Sequence, residues 1–424
     1  MPGHKGVSFL GIEHLDITEI DGADSLYEAH GIIAESERNA SSLFGCPTVY
    51  STEGSSHCIR AMLQLVLLRA AMEGRKPRIA AGRNAHKAFL SAAALLDLEV
   101  QWLYPAQGGS YLSCDLTPAE LDAQLTAARE TPAAVYLTCP DYLGHMADIP
   151  ALAEVCHRHG TLLAVDNAHG AYLKFLPRSL HPIDLGADIC CDSAHKTLPV
   201  ITGGAYLHLS EAMYAAVGAQ VKNAMVLFGS TSPSYLILQS LDAANAYLEN
   251  YPQRLHTFVR EVDRLKARLQ QQGYTLYGNE PLKITVDTKP YGYTGEEFSR
   301  CLQQAGLVPE FADRDYTVLM LTPENGEECL HRLEQALLHL PCRAAVEEAP
   351  PQFFPGEQAL SVREAMLRPC HTLPVEACIG KVLASPSVGC PPAVPILLCG
   401  QRIDQQALER FAYYGITHCC VVKD

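Results

Sequence analysis

Two segments of this chain carry residue types that could do chemistry together. Around residue 166 it reads Ala-Val-Asp-Asn-Ala-His-Gly, and thirty positions beyond Asp166 stands Lys196, within Asp-Ser-Ala-His-Lys-Thr. An acid closing one apolar run and a lysine following the next suit an enzyme that carries pyridoxal 5'-phosphate (PLP). Lys196 would hold that cofactor as a Schiff base, and Asp166 would keep the pyridine nitrogen protonated so that the ring withdraws electrons from a substrate. Both residues also have duller readings. An acid at the end of a buried strand often only caps the next helix, and a lone lysine is usually a solvated surface charge. The setting of Lys196 favours chemistry, because Ala187 to Cys191 looks like a buried strand and Ser193, His195 and Thr197 surround the lysine with small polar donors that suit a phosphate.

These residues need elements to position them. From about residue 40 to 210, short apolar runs alternate with helical periodicity, which argues for a largely parallel sheet flanked by helices. Candidate strands are Arg78 to Ala81, Val100 to Tyr104, Ala133 to Thr138, Thr161 to Val165, Asp188 to Asp192 and Gly204 to His208. A helix after Gly54-Ser55-Ser56 places Ile59, Met62, Leu63, Val66, Leu67 and Ala70 on one face. Another begins near Pro150, buries Leu152, Val155 and Cys156, and stops at Gly160. Gly54, Ser55 and Ser56 read either as an ordinary serine cap or as an anion site, where small residues let the backbone approach and the helix dipole completes the pocket. In an open α/β sheet the ligand sits at the C-terminal ends of the strands, where Asp166 would lie.

Seven short motifs in order resemble the Orn/Lys/Arg decarboxylase family of fold-type I PLP enzymes, in its shorter form without a receiver-like domain. They are Pro2 to Gly6, Asp16 to Glu19, Gly54 to Ser56, Arg83 to Lys87, Asp166 to Gly170, Ser193 to Pro199, and Gly229 to Tyr235. The resemblance covers most of the chain. It implies that the Gly54 turn cradles the PLP phosphate, that His86 stacks on one face of the pyridine ring, and that small Ala168 touches the other. It places His169 near the cofactor's phenolic oxygen or the substrate carboxylate, and Ser193 and His195 at the phosphate beside Lys196. Ser230 and Thr231 match a loop that reaches the neighbouring subunit's phosphate, which implies a homodimer. The implied activity is decarboxylation of arginine, lysine or ornithine, supplying a polyamine precursor or consuming acid. The alternatives are another fold-type I activity, such as an aminotransferase or a lyase, and a non-catalytic relative.

The chain departs from the family in three places. Met1 directly precedes the first motif, where a helical segment that contributes to dimer contacts is usual. Asn167 stands where the acidic motif usually has glutamate. In the C-terminal part Pro391-Pro392-Ala393 and Cys399-Gly400-Gln401 replace Pro-Pro-Gly and Pro-Gly-Glu, so neutral Gln401 stands where a charge near the substrate entrance is expected.

Composition sets the wider frame. The 424 residues are material for two or three domains. A PLP-binding large domain is expected over 1–250 with an N-terminal arm over 1–40, a small α/β domain over 251–345, and a C-terminal domain over 346–424. In the small domain, helical periodicity runs from Pro252 to Gln272, with strands at Lys283 to Val286 and Tyr316 to Leu321 and a helix near Gly295 to Ala305. A net charge of −15 disfavours nucleic acid as a partner and is compatible with a cationic substrate. Among the 16 cysteines no Cys-x-x-Cys occurs, so reduced, buried thiols are expected, with no metal and no disulfide framework. No stretch reaches the roughly 18 apolar residues of a membrane span, and the start lacks the apolar core of a secretory signal. The expected location is the cytoplasm.

Overall fold

A computed structural model describes residues 2–106, 109–353, 355–385 and 393–423. Pro391 and Pro392 of the departing C-terminal motif lie outside the described residues. The main sheet has seven strands: β1 (Thr48–Ser51), β2 (Arg78–Gly82), β3 (Glu99–Leu103), β4 (Ala134–Thr138), β5 (Leu162–Asp166), β6 (Ile189–Asp192) and β7 (Ala205–Leu209). Their order is β1-β7-β6-β5-β4-β2-β3. The expected α/β class with a mainly parallel sheet is borne out: β4, β5 and β6 run parallel, while β7 pairs antiparallel with both of its neighbours, β6 and the edge strand β1. A central parallel strand is covered on both faces, so its sequence is apolar without alternation. β5, Leu-Leu-Ala-Val-Asp, meets that condition, and every residue after Leu162 is buried.

Helices cover this sheet, beginning with α1 (Ile32–Phe44) against β1. The helix α2 (Gly54–Met72) buries Cys58, Ile59, Met62, Leu63 and Val66 and packs over β5, β6 and β7. The helix Ile149–Arg158 starts at Asp148, whose carboxylate accepts the Ala151 N–H at 3.3 Å. It ends before Gly160, whose φ of +65° favours a residue without a Cβ. All the strands read from the sequence are present within a residue or two at each end.

One expectation is corrected. A helix beginning at Pro252 was expected, but a single helix runs unbroken from Tyr235 to Gln271 with Pro252 inside it. Proline in a helix interior costs about 3 kcal/mol. The apolar stripe explains why the helix continues. Leu241, Ala244, Leu248, Tyr251, Leu255, Phe258, Val262, Leu265 and Leu269 are all buried at alternating spacings of three and four. Burying one large apolar side chain is worth about 1.5–3 kcal/mol, so the stripe outweighs the missing hydrogen bond.

Two compact units divide the chain. The first comprises Met1–Ala80, Leu121–Cys139 and Asp148–Gln253, and the second Ala81–Glu120, Pro140–Ala147 and Arg254–Asp424. Within the second unit a four-stranded antiparallel sheet in the order β10-β11-β9-β8 is built from β8 (Thr275–Tyr277), β9 (Lys283–Asp287), β10 (Phe311–Ala312) and β11 (Tyr316–Met320). A further pair, Cys370–Pro374 with His418–Val422, belongs to the C-terminal segment. All described cysteines are free thiols. No described helix is long and apolar enough to cross a membrane.

Candidate active site

Parallel pairing brings the C-terminal ends of β4, β5 and β6 to one edge, with Thr138 beside Asp166 and Asp166 beside Cys191. The loops that leave these strands therefore gather at that edge. Asp166 ends β5 at 2% exposure. Its Oδ2 accepts the Tyr136 hydroxyl at 3.1 Å, and its Oδ1 accepts the Ala168 N–H at 3.2 Å and faces Cys191 Sγ at 3.8 Å. Burial raises its pKa, and the Lys196 charge together with these hydrogen bonds opposes that rise. A proton-bearing cationic nitrogen set against this carboxylate would return it to the ionised form.

Lys196 lies in the short helix Ala194–Thr197 after β6, and its Nζ stands 2.8 Å from His169 Nε2. His169 thus meets the lysine itself, a contact that the sequence alone did not suggest. Ser193 Oγ donates to Ser55 Oγ at 2.8 Å, which joins the lysine loop to the first turn of α2. That turn is not a serine cap. Glu53 is the capping residue and makes no side-chain cap bond, and Gly54 has a φ of +73°. The Gly54 N–H donates to the Gly203 carbonyl at 2.7 Å, and the rest of this first turn, with no side-chain cap and two hydroxyls beside it, could receive a phosphate.

Ser230 and Thr231 lie in the exposed loop after Gly229, where the Ser230 N–H donates to Glu53 Oε1 at 2.5 Å. Gly229 has no room for a Cβ, which would collide with Tyr27 Oη. His195 donates from Nδ1 to the Gly204 carbonyl at 3.0 Å, which leaves only Nε2 for a phosphate contact. Burial holds the His195 pKa below its ordinary value.

The first unit therefore gathers Gly54, Ser55, Ser56, Asp166, Ala168, His169, Ser193, His195, Lys196, Ser230 and Thr231. His86 belongs to the second unit, where it caps the helix Lys87–Leu95 by accepting the Ala88 N–H at Nδ1. In the same unit Arg83 of that motif is buried and donates to the carbonyls of Tyr111, Pro395 and Ile396. Gln401 is buried too. Its Oε1 accepts the Leu398 N–H at 3.0 Å, and its Nε2 donates to Tyr104 Oη at 3.2 Å and to the Gly356 carbonyl at 3.4 Å, the last a contact that a carboxylate could not make.

Sequence reasoning missed Tyr136 and a buried network around Asp192. Asn167 Nδ2 donates to Asp192 Oδ1 at 2.7 Å, and the Nε2 atoms of His181 and His208 each lie 3.2 Å from Oδ2. Burial alone would raise the Asp192 pKa, but the two histidines hold it well below the usual carboxylate range. His181, Cys190 and Asp192 each place a donor atom within 4.8 Å of the others, as a metal site would. Here three donors already match the Asp192 charge. Asp192 was visible as the acid ahead of Ser193, and Tyr136 as the polar residue in an apolar strand, but neither showed its partner.

Tyr136→Phe removes a donor to a buried carboxylate, and such bonds are worth about 1.5–3 kcal/mol. The bond favours ionised Asp166, so the stability loss in urea unfolding should be larger at pH 8 than at pH 5. Equal losses at both would mean that the hydroxyl does not act through Asp166.

A family model described as "Orn/Lys/Arg decarboxylase, major domain" matches residues 7–289. The uncharacterized protein YaaO of Bacillus subtilis is 28% identical over 94% of this chain and 85% of its own length. An arginine decarboxylase of Halalkalibacterium halodurans is 26% identical over 96% of this chain and 88% of its own. Among solved structures, lysine decarboxylase A from Pseudomonas aeruginosa superposes with a TM-score of 0.80 at 16% identity, covering 100% of this chain and 78% of that one. At that identity the likeness shows the fold.

Proposed function

Since the chain belongs to the Orn/Lys/Arg decarboxylase family, we propose that it uses PLP to decarboxylate arginine, lysine or ornithine, giving the amine and CO2. The observation that carries this reading is the placement of buried Asp166 and of Lys196 after adjoining parallel strands, beside an uncapped helix N-terminus. Bound PLP supplies an electron sink for the pair left on Cα when its bond to the carboxylate breaks.

The residues present fit that group. The free N–H groups of α2, with Ser55 and Ser193, would bind the phosphate. Asp166 would keep the proton on the pyridine nitrogen, and its burial among Tyr136, Ala168 and Cys191 leaves it few competing partners. Lys196 would anchor the cofactor and return a proton to Cα, and His169 at 2.8 Å is placed to exchange that proton with Nζ. Two relatives named arginine decarboxylase, each matching over 96% of this chain, support arginine as the first substrate to offer.

PLP-loaded protein should release CO2 and one equivalent of amine from one of the three amino acids offered separately. Silence with all three, from protein that shows the visible absorption of lysine-bound PLP, would overturn the proposed activity.

A further inference from the structure

Asn167 directly follows the acid and Asp192 directly precedes the lysine loop, and both side chains are fully buried. They meet at 2.7 Å. We infer that this bond is a positioning pair, which ties the Asp166–Gly170 turn to the Asp192–Lys196 loop and so sets the two functional groups of the proposed PLP site against each other. The inference rests on the cofactor reading above.

Several observations leave the pair no freedom. Only Nδ2 of Asn167 can face a carboxylate, and Oδ1 consequently stays buried with no hydrogen bond. The Asn167 N–H donates to the Cys191 carbonyl at 3.0 Å, and its own carbonyl accepts from Gly170 at 2.8 Å. The turn closes so tightly that a Cβ on Gly170 would collide with Asn167 Oδ1. On the other side, His181 and His208 hold the second oxygen of Asp192, so that carboxylate cannot swing away. Cys190 lies 3.9 Å from His181 Nε2 and Cys46 3.8 Å from His208 Nδ1, and the buried Cys58, Cys191 and Tyr206 also face the Asp192 charge.

This also explains a departure in the sequence. The motif that Asp166 to Gly170 resembles has an acid at position 167, and an acid there would press one buried carboxylate against another. Asn167 and Asp192 therefore belong together, one supplying the donor that the other requires.

The test exchanges donor and acceptor without changing shape. Asn167→Asp, Asp192→Asn and the double variant are compared with the parent for PLP dissociation, visible absorption between pH 5 and 8, and Tm. Asn167→Asp should weaken PLP retention at least about tenfold at pH 8, because two like charges share one buried site. It should recover towards the parent at pH 5, where one carboxyl gains a proton and can donate. A loss of packing alone would not recover in acid. Asp192→Asn should stay within about threefold of the parent, since the Asn167 amide can turn over and accept. The double variant should also return to within about threefold, with the bond re-formed in the opposite sense. An Asn167→Asp protein as good as the parent at pH 8, or a double variant as poor as Asn167→Asp, overturns the pair. Should Asn167→Asp not fold, the double variant decides: folding and loading support the pair, and failure where Asp192→Asn succeeds overturns it. A parent that takes up no PLP sinks the cofactor reading instead, and the four Tm values then decide the pair by themselves.

Discussion

Lys196→Ala is expected to abolish turnover of whichever basic amino acid the protein decarboxylates, by at least about 10³-fold, because the variant loses both the covalent anchor and the acid that protonates Cα. Nothing else in the described site offers an amine. Lys196 Nζ faces His169 at 2.8 Å, and an imidazole cannot replace an amine as the anchor. The visible band of lysine-bound PLP should vanish, and borohydride reduction should no longer fix PLP to the protein. Tm should change little, because Lys196 is only partly buried and its short helix is held by backbone bonds, including His195 N–H to the Gly204 carbonyl. Turnover by a correctly folded Lys196→Ala protein would remove this residue from the mechanism.

Asp166→Asn should separate catalysis from stability. The amide keeps the shape and still accepts the Tyr136 hydroxyl, but it cannot carry the charge that holds a proton on the pyridine nitrogen. Turnover should fall by about 10²–10³-fold, the range of a lost charge contact or proton-transfer group. The protein without cofactor should behave in the opposite way. Burial raises the Asp166 pKa in the folded state, so Asp166 contributes stability while protonated and loses it as pH rises through that raised value. Without cofactor, Asp166→Asn should therefore be at least as stable as the parent at pH 8 and show a flatter dependence of Tm on pH. Adding PLP should stabilise the parent more than the variant. A variant with parental turnover would mean that Asp166 is not the acid at the ring.

The groups that act through local sequence were legible. Asp166 closes one apolar run and Lys196 follows shortly after the next, and a buried parallel strand writes itself as such a run. The turn at Gly54 opens a helix whose apolar face is spaced for packing, so its place at the sheet edge followed. Pro252 misled because its backbone penalty is local, whereas the stripe from Leu241 to Leu269 that overrides it spans about eight turns. Gln401 read as a lost charge, and the structure adds that its amide is buried between the Leu398 N–H and the Gly356 carbonyl.

Residue types and their order along the chain determined which groups could do PLP chemistry, the strands that carry them, and the family to which the chain belongs. Only the tertiary structure decided their partners. Tyr136 meets Asp166 because β4 pairs in parallel with β5. Asp192 meets Asn167 and His208 because β6 lies between β5 and β7, with Cys190 opposite His208. A strand's own pattern says which residues share a face, but strand order and register are set by the packing of the whole sheet, and a one-residue slip would turn each of these side chains to the other side.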